Sequence, residues 1–455
     1  MFRTNAHDYG IYSQALYDYA HFRINNNSVI QPGFGNILGD HFELLMMIVS
    51  PMYYIFGSYT LLIFQITAIL IGGQAVYKYV ELISNNRKFA LAALIQFFLF
   101  FGIYSALAFD YHNNVVGTMT VPWILFFINK SKWKQTIFCF IIFLISKENM
   151  ALWGFFIFAG LMIKYRKDHK KLLWSAILAA ISIIYFLIIV KCVIPSLGKG
   201  GEGYLHFRYA ALGSNISEAI GTLITKPFYA FKLLFVNHLG IPACDYVKTE
   251  LHIAVLLSGG ILLFRRPYYL LMLLPIYGQK MFCDYYTYWG LGFHYSVEFL
   301  PILTLGAFSI INDFEKQRIR RVFVYALILM TAAVSFRSWD YTYTYFNRQK
   351  QRFYQKPHYS RSFEIKEAYV SLKLIPDDAS VCAQDEFVPH LCSREKIYLY
   401  PFIADAEYIY INKEANFYPY ETQLQYDASI DSMNNSTDWD KIYDKNFTQI
   451  FKRKK

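Results

Sequence analysis

Between residues 59 and 336 the chain alternates long apolar runs with short charged loops. Many of the runs approach the ~20 residues needed to cross ~30 Å of hydrocarbon. A soluble helical core would need a polar face on each helix. The runs 89–109 and 172–194 have almost none. The pattern therefore predicts an all-α polytopic membrane bundle. Basic residues cluster in five of the loops: Arg87 and Lys88; Lys130, Lys132 and Lys134; the stretch 164–171; Arg265 and Arg266; and 316–321. This is the positive-inside pattern. With those loops in the cytoplasm, ten spans follow: 59–83, 89–109, 115–128, 136–145, 150–163, 172–194, 251–264, 268–281, 296–311 and 322–336. One long helix through Ile163 would bury Lys147 and Glu148 mid-membrane, at several kcal/mol. A tight outer turn at 146–149 avoids that cost. The path puts the N-terminus outside although it carries no signal-peptide pattern, so an additional upstream span is expected.

After Phe336 the character changes. Four regions are expected: a first outer segment with interfacial helices, 1–57; a transmembrane domain, 58–336; a linker, 337–360; and a small extracytoplasmic α/β domain with a tail, 361–455. In the last of these, Ile375-Pro376-Asp377-Asp378 reads as a turn into a strand. The stretch 385–392 reads as a short helix limited by Pro389. The stretches 397–400 and 408–411 alternate β-branched and aromatic residues as strands do.

Composition fits this picture. The 455 residues are 55% hydrophobic and 17% charged, with mean hydropathy +0.24, against about 25% charged in soluble domains. The net charge of +11 resides largely in the short loops. No basic domain with a nucleic-acid motif remains, so no nucleic-acid partner is expected. Cys139 and Cys192 sit in apolar runs as packing residues. Cys382 with Cys392 is a candidate disulfide, Cys244 with Cys283 a weaker one, and none has zinc-site spacing.

Candidate chemistry is one-sided. His7 and Asp8, Asp40 and His41, Asp110 and His112, Lys147 and Glu148, Glu202 with His206 and Arg208, and His294 with Glu298 all fall in outer segments. Ionisable groups at membrane depth are costly and are usually paired or functional. Each also has a plain structural reading. Asp8 can cap a helix, as can Asp110 or His112. Lys147 and Glu148 can pair across the bundle, and His206 and Arg208 can touch lipid headgroups.

These stretches resemble a predicted membrane-protein family catalogued as domain of unknown function 2079. The similarity is carried by His7-Asp8-Tyr9-Gly10-Ile11-Tyr12-Ser13-Gln14-Ala15-Leu16, Gly39-Asp40-His41-Phe42, Phe109-Asp110-Tyr111-His112 and Lys147-Glu148-Asn149. His206-Phe207-Arg208-Tyr209 with Leu212-Gly213, His294-Tyr295-Ser296 before Pro301, and the 375–401 region extend it over nearly the whole chain. The family usually has an acid where Ser13 stands, a Pro-Glu pair where Asn113-Asn114 stands, and a first membrane helix that is absent here. The family in turn resembles the GT-C superfamily of membrane glycosyltransferases, which take sugar from a polyprenyl-phosphate carrier at the outer face.

That resemblance implies transfer of a sugar from a polyprenyl-phosphate donor to an acceptor at the outer face of the cytoplasmic membrane. Asp8 takes the place of the acidic residue as base, which typically contributes 10²–10⁴-fold. His41, Asp40, Asp110, His112, Lys147, Glu148, Arg208 and His294 are the candidate substrate-binding residues. Lys147 and Arg208 are the cations for the leaving phosphate, and Asp and His make a divalent metal an open option. The competing readings are a lipid or solute transporter or flippase, and a non-catalytic sensor or assembly protein.

Overall fold

A computed structural model describes residues 2–25, 27–29, 36–198, 206–344 and 348–454. The apolar runs form helices close to where the pattern put them. Among the described residues, five helical stretches are long and apolar enough to cross a membrane: Leu45–Ser84, His169–Leu197, Pro242–Leu263, Tyr295–Asn312 and Gln317–Asp340. Arg87–Leu99 and Phe101–Ala108 make a sixth if the pair, bent by 42°, counts as one span. The expected ten spans are therefore not reached on length and composition. Asn113–Asn129 and Glu148–Lys164 have 17 residues, Pro267–Met281 has 15 and Trp133–Ser146 has 14. At 1.5 Å per residue these fall short of the ~30 Å slab.

The outer faces of the long helices are apolar where a soluble protein would be charged. Ile177, Ile181, Ile184 and Ile188 are exposed on one helix, and Tyr325, Leu329 and Phe336 on another. Such rows suit lipid, which solvates apolar side chains but no unpaired backbone. The bend at Phe100 has a local cause. Phe100 is extended, and a Cβ on Gly102 would meet the backbone of Ser296 and Val297 at 2.8 Å. Glycine lets the second half-helix press against that neighbouring segment.

The expected turn at Lys147 is present. Lys147 is extended between Trp133–Ser146 and Glu148–Lys164. The two helices fold back on each other, with Phe140 on Phe158 at 5.3 Å and Phe143 on Trp153 at 5.7 Å. The basic loops gather together. Asn312 donates to the Ile83 carbonyl at 3.0 Å, Arg266 pairs with Asp313, and Arg265 lies over Phe314 at 5.3 Å. Lys164 donates to the Tyr79 hydroxyl at 2.9 Å and lies 5.9 Å from the Tyr269 ring.

The C-terminal unit is a five-stranded mixed sheet of β1 (Val381–Ala383), β2 (Ile397–Leu399), β3 (Tyr408–Asn412), β4 (Trp439–Lys445) and β5 (Thr448–Arg453), in the order β2-β1-β3-β5-β4. β1 pairs in parallel with β2 and β3, and β5 runs antiparallel to β3 and β4. Val381 and Ala383 face one apolar layer with Phe363, Val388 and Leu391. Cys382 faces the other, with Ile409, Tyr426 and Phe451. Cys392 belongs to the first layer. The sheet thus separates Cys382 from Cys392, and both are free thiols, as are Cys244 and Cys283. The two candidate disulfides are corrected accordingly.

The first residues of the chain complete this unit. Phe2, Ala6 and Val29 pack into the layer of Val381 and Ala383. Ser28 donates its hydroxyl to the Ile397 carbonyl at 2.6 Å, and Arg361 donates to the Phe2 carbonyl at 2.8 Å.

Candidate functional site

Asp8 lies in a π-helical turn, Ala6–Gly10, that runs into Ile11–Ala20. Its carboxylate caps neither segment, since no side-chain cap bond forms at either start. The turn is seated on the C-terminal unit. A Cβ on Gly10 would come within 2.9 Å of Val388, and the Ala6 N–H donates to Asp385 Oδ1 at 2.8 Å. Asn416 donates to the other Asp385 oxygen at 3.0 Å. The Asn5 N–H donates to Asp110 Oδ2 at 3.3 Å, and Lys350 Nζ lies 3.9 Å from that oxygen.

Asp110 and His112 are delivered by the membrane domain. Asp110 takes a left-handed conformation at φ 65°, which non-glycine residues adopt infrequently and Asp more readily than most. Gln65 holds this turn from a neighbouring helix. It donates to the Asp110 carbonyl at 2.9 Å and accepts from the His112 N–H at 2.8 Å. His112 Nε2 then lies 3.9 Å from Asp8 Oδ1. The His112 ring stacks on His294 at 3.5 Å, with 15° between planes. Both rings are buried, and Nδ1 of each lacks a hydrogen-bond partner among the described residues.

Asp8, Asp110 and Asp385 therefore crowd one junction. Burial first, then repulsion from Asp110, pushes the Asp8 carboxyl up to about 7, against the pull of Lys350. Burial likewise raises Asp385 to about 6, although the Ala6 N–H favours its charged form. Asp8 still keeps 33% of its side chain open, so it is not sealed in the interior. Beside it is a cavity of about 580 Å³ whose lining includes Arg3, Asn5, Lys350, Arg361, Glu386 and Asn416.

The second half of the site forms around the Lys147 turn. Lys147 Nζ lies 3.4 Å from Glu43 Oε1, and Glu43 Oε2 accepts from Asn113 at 2.8 Å. Glu148 is fully buried; its Oε1 accepts from His41 Nδ1 at 2.9 Å and its Oε2 from the Phe42 N–H at 3.2 Å. His206 Nε2 lies 2.8 Å from Asp40 Oδ1, and the His206 ring stacks on His41 at 3.9 Å. Tyr12 joins the halves. Its ring meets His112 edge-on at 5.8 Å, and burial together with Glu43, Asp40 and Asp8 keeps its hydroxyl protonated.

The structure thus brings Asp8, Asp40, His41, Asp110, His112, Lys147, Glu148 and His294 into one continuous region of polar contacts. It does not bring Arg208 there. That side chain is exposed and lies over Tyr285 at 5.5 Å. Glu202 lies outside the described residues. His7 is exposed and meets the edge of Tyr418 at 5.5 Å. Where the family usually has an acid, Asn114 donates to Glu298 Oε1 at 2.9 Å, so the neighbouring segment supplies a carboxylate at that point. Reading the sequence missed Glu43, Lys350 and Asp385. Glu43 had a usable signal, a lone acid within the apolar run 42–56. Lys350 and Asp385 had none, because only the docking of distant segments brings them to Asp8.

A family model described as predicted membrane protein (DUF2079) matches residues 1–446. No curated protein matches the chain.

Proposed function

Taking as premise that the chain belongs to this family of predicted membrane proteins, we propose that it is a membrane glycosyltransferase of GT-C type. It transfers a sugar from a polyprenyl-phosphate carrier to an acceptor hydroxyl at the outer face of the cytoplasmic membrane, with Asp8 as base. The observation that carries this reading is the state of Asp8: a carboxyl one-third open to solvent, raised to about 7, and 3.9 Å from His112. A general base works best when its pKa lies near the operating pH. In the reaction the acceptor oxygen bonds to the anomeric carbon as its proton passes to Asp8. The carbon–oxygen bond to the carrier phosphate breaks, and its electron pair leaves with the phosphate. That phosphate gains charge and needs fixed cations. Arg3, Lys350 and Arg361 line the adjoining cavity and take this role in place of Arg208, while Lys147 is held by Glu43.

The side assignment follows from the gathered basic loops, which the positive-inside rule puts in the cytoplasm. The Asp8 junction and the C-terminal unit then lie outside. The test is purified protein in lipid nanodiscs with a panel of polyprenyl-phosphate sugars, scoring free lipid phosphate and glycosylated product. Asp8→Asn lowers turnover by about 10²–10⁴-fold while the protein still inserts and elutes as wild type. Wild-type turnover in that variant removes Asp8 from the mechanism. Uptake of substrate into vesicles with no covalent product would replace transfer with transport.

A further inference from the structure

We propose that Asp40, His41 and His206 form a metal site of the zinc type, oriented by Glu148. One donor atom from each of the three lies within 4.8 Å of the others. Two imidazoles and a carboxylate are a donor set that zinc accepts, and three protein ligands leave a fourth tetrahedral position for water or a substrate oxygen.

The observation that separates this cluster from an ordinary ion pair is Glu148. Metal-binding histidines usually donate their second ring N–H to a carboxylate, which fixes tautomer and ring orientation. Glu148 can only accept, so the 2.9 Å contact puts the His41 proton on Nδ1 and turns the Nε2 lone pair away from Glu148. The Phe42 N–H holds the other Glu148 oxygen at 3.2 Å. A fully buried carboxylate is costly, and orienting a ligand gives this one a use.

The backbone carrying two of the ligands is anchored. Asp40 and His41 follow the short turn Ile37–Gly39. A Cβ on Gly39 would meet the Gly198 nitrogen at 2.8 Å and the Leu197 carbonyl carbon at 3.0 Å. Glycine at 39 thus clamps the turn to the end of a long helix. The cluster is also reachable, with His41, His206 and Asp40 side chains 19%, 30% and 29% exposed. The two rings stack with 14° between planes and must tilt apart for both nitrogens to face one ion.

The inference stands apart from the sugar-transfer reading, because its readout is metal content. Untagged protein in detergent is stripped with chelator, equilibrated with zinc, freed of excess, and its metal measured by mass spectrometry. A cobalt-loaded sample reports tetrahedral coordination by its visible absorption. Wild type is expected to retain one ion per chain. His206→Ala and Asp40→Asn, both at partly exposed positions, lose it, and Glu148→Gln weakens retention about 10–100-fold. Size-exclusion profiles of the stripped proteins establish that the variants are folded. Zinc uptake by wild type no greater than by the His41→Ala/His206→Ala pair overturns the site, as does full retention by both His206→Ala and Asp40→Asn.

Discussion

Replacing Asp8 by Asn tests the electrostatics of the junction without any knowledge of the substrate. The folded carboxyl titrates at about 7 against an ordinary value of 3.8. Folding therefore favours its protonated form. Between roughly pH 4 and 7 the folded chain holds a proton that the unfolded chain has released, so stability falls as pH rises through that window and the full penalty applies above it. At about 1.36 kcal/mol per unit the ceiling is roughly 4 kcal/mol. Because 33% of the side chain is open to solvent, screening reduces this to roughly 1–2 kcal/mol. Asn keeps the shape and removes the charge. The variant should match wild type near pH 4 and exceed it by about 1–2 °C in Tm at pH 8. Thermal unfolding in detergent, followed by tryptophan fluorescence across that range, reads the difference. Two curves that stay parallel from pH 4 to pH 8 would refute the account of Asp8 as a carboxyl strained by its neighbours.

Lys147→Met leaves Glu43 buried and unpaired, and should destabilise by about 3–5 kcal/mol. Adding Glu43→Gln should recover most of that loss in the same thermal assay; no recovery would show that the pair is not the cause. Because the sheet holds Cys382 and Cys392 in opposite apolar layers, protein denatured without reductant should take up six maleimides by intact mass, one for each cysteine. Uptake of four would restore a disulfide.

What could be read from the sequence depended on how local each signal was. Hydrophobic run length located most helices within a few residues, and the break at Lys147 followed from the cost of burying Lys147 and Glu148. Span number was harder. The short helices are apolar for too few residues, and packing against neighbours, which no single run reveals, decides how they sit. In the C-terminal unit, β1, β2 and β3 were legible because they are buried and apolar. β4 was not, because Trp439–Lys445 is a polar edge strand with most of its residues exposed. Helix Gln423–Asn434 did carry a signal that went unread: Thr422 and Gln425 form a capping box. The cluster of acids and imidazoles was recoverable from charge asymmetry along the chain. Its pairing was not. Nothing in spacing says that Glu148 meets His41, or that Arg208 turns away toward Tyr285.

The C-terminal unit is therefore part of the site and not an appendage to it. Asp8 owes its position to two supports that come from distant parts of the chain. From one side, Asp110 and His112 project from the membrane domain, with Gln65 fixing their turn. From the other, Asp385 receives the Ala6 N–H, and Val388 takes the surface that a side chain at Gly10 would occupy. Remove either support and the π-turn carrying Asp8 loses the contacts on that side, while Asp110 and Asp385, which add to burial in raising the Asp8 carboxyl, come apart from it. A non-catalytic binding domain need only be tethered near the membrane to work. A domain that sets the protonation of Asp8 must stay docked on the segment that carries it, and the shared apolar layer of Phe2, Ala6 and Val29 supplies that docking.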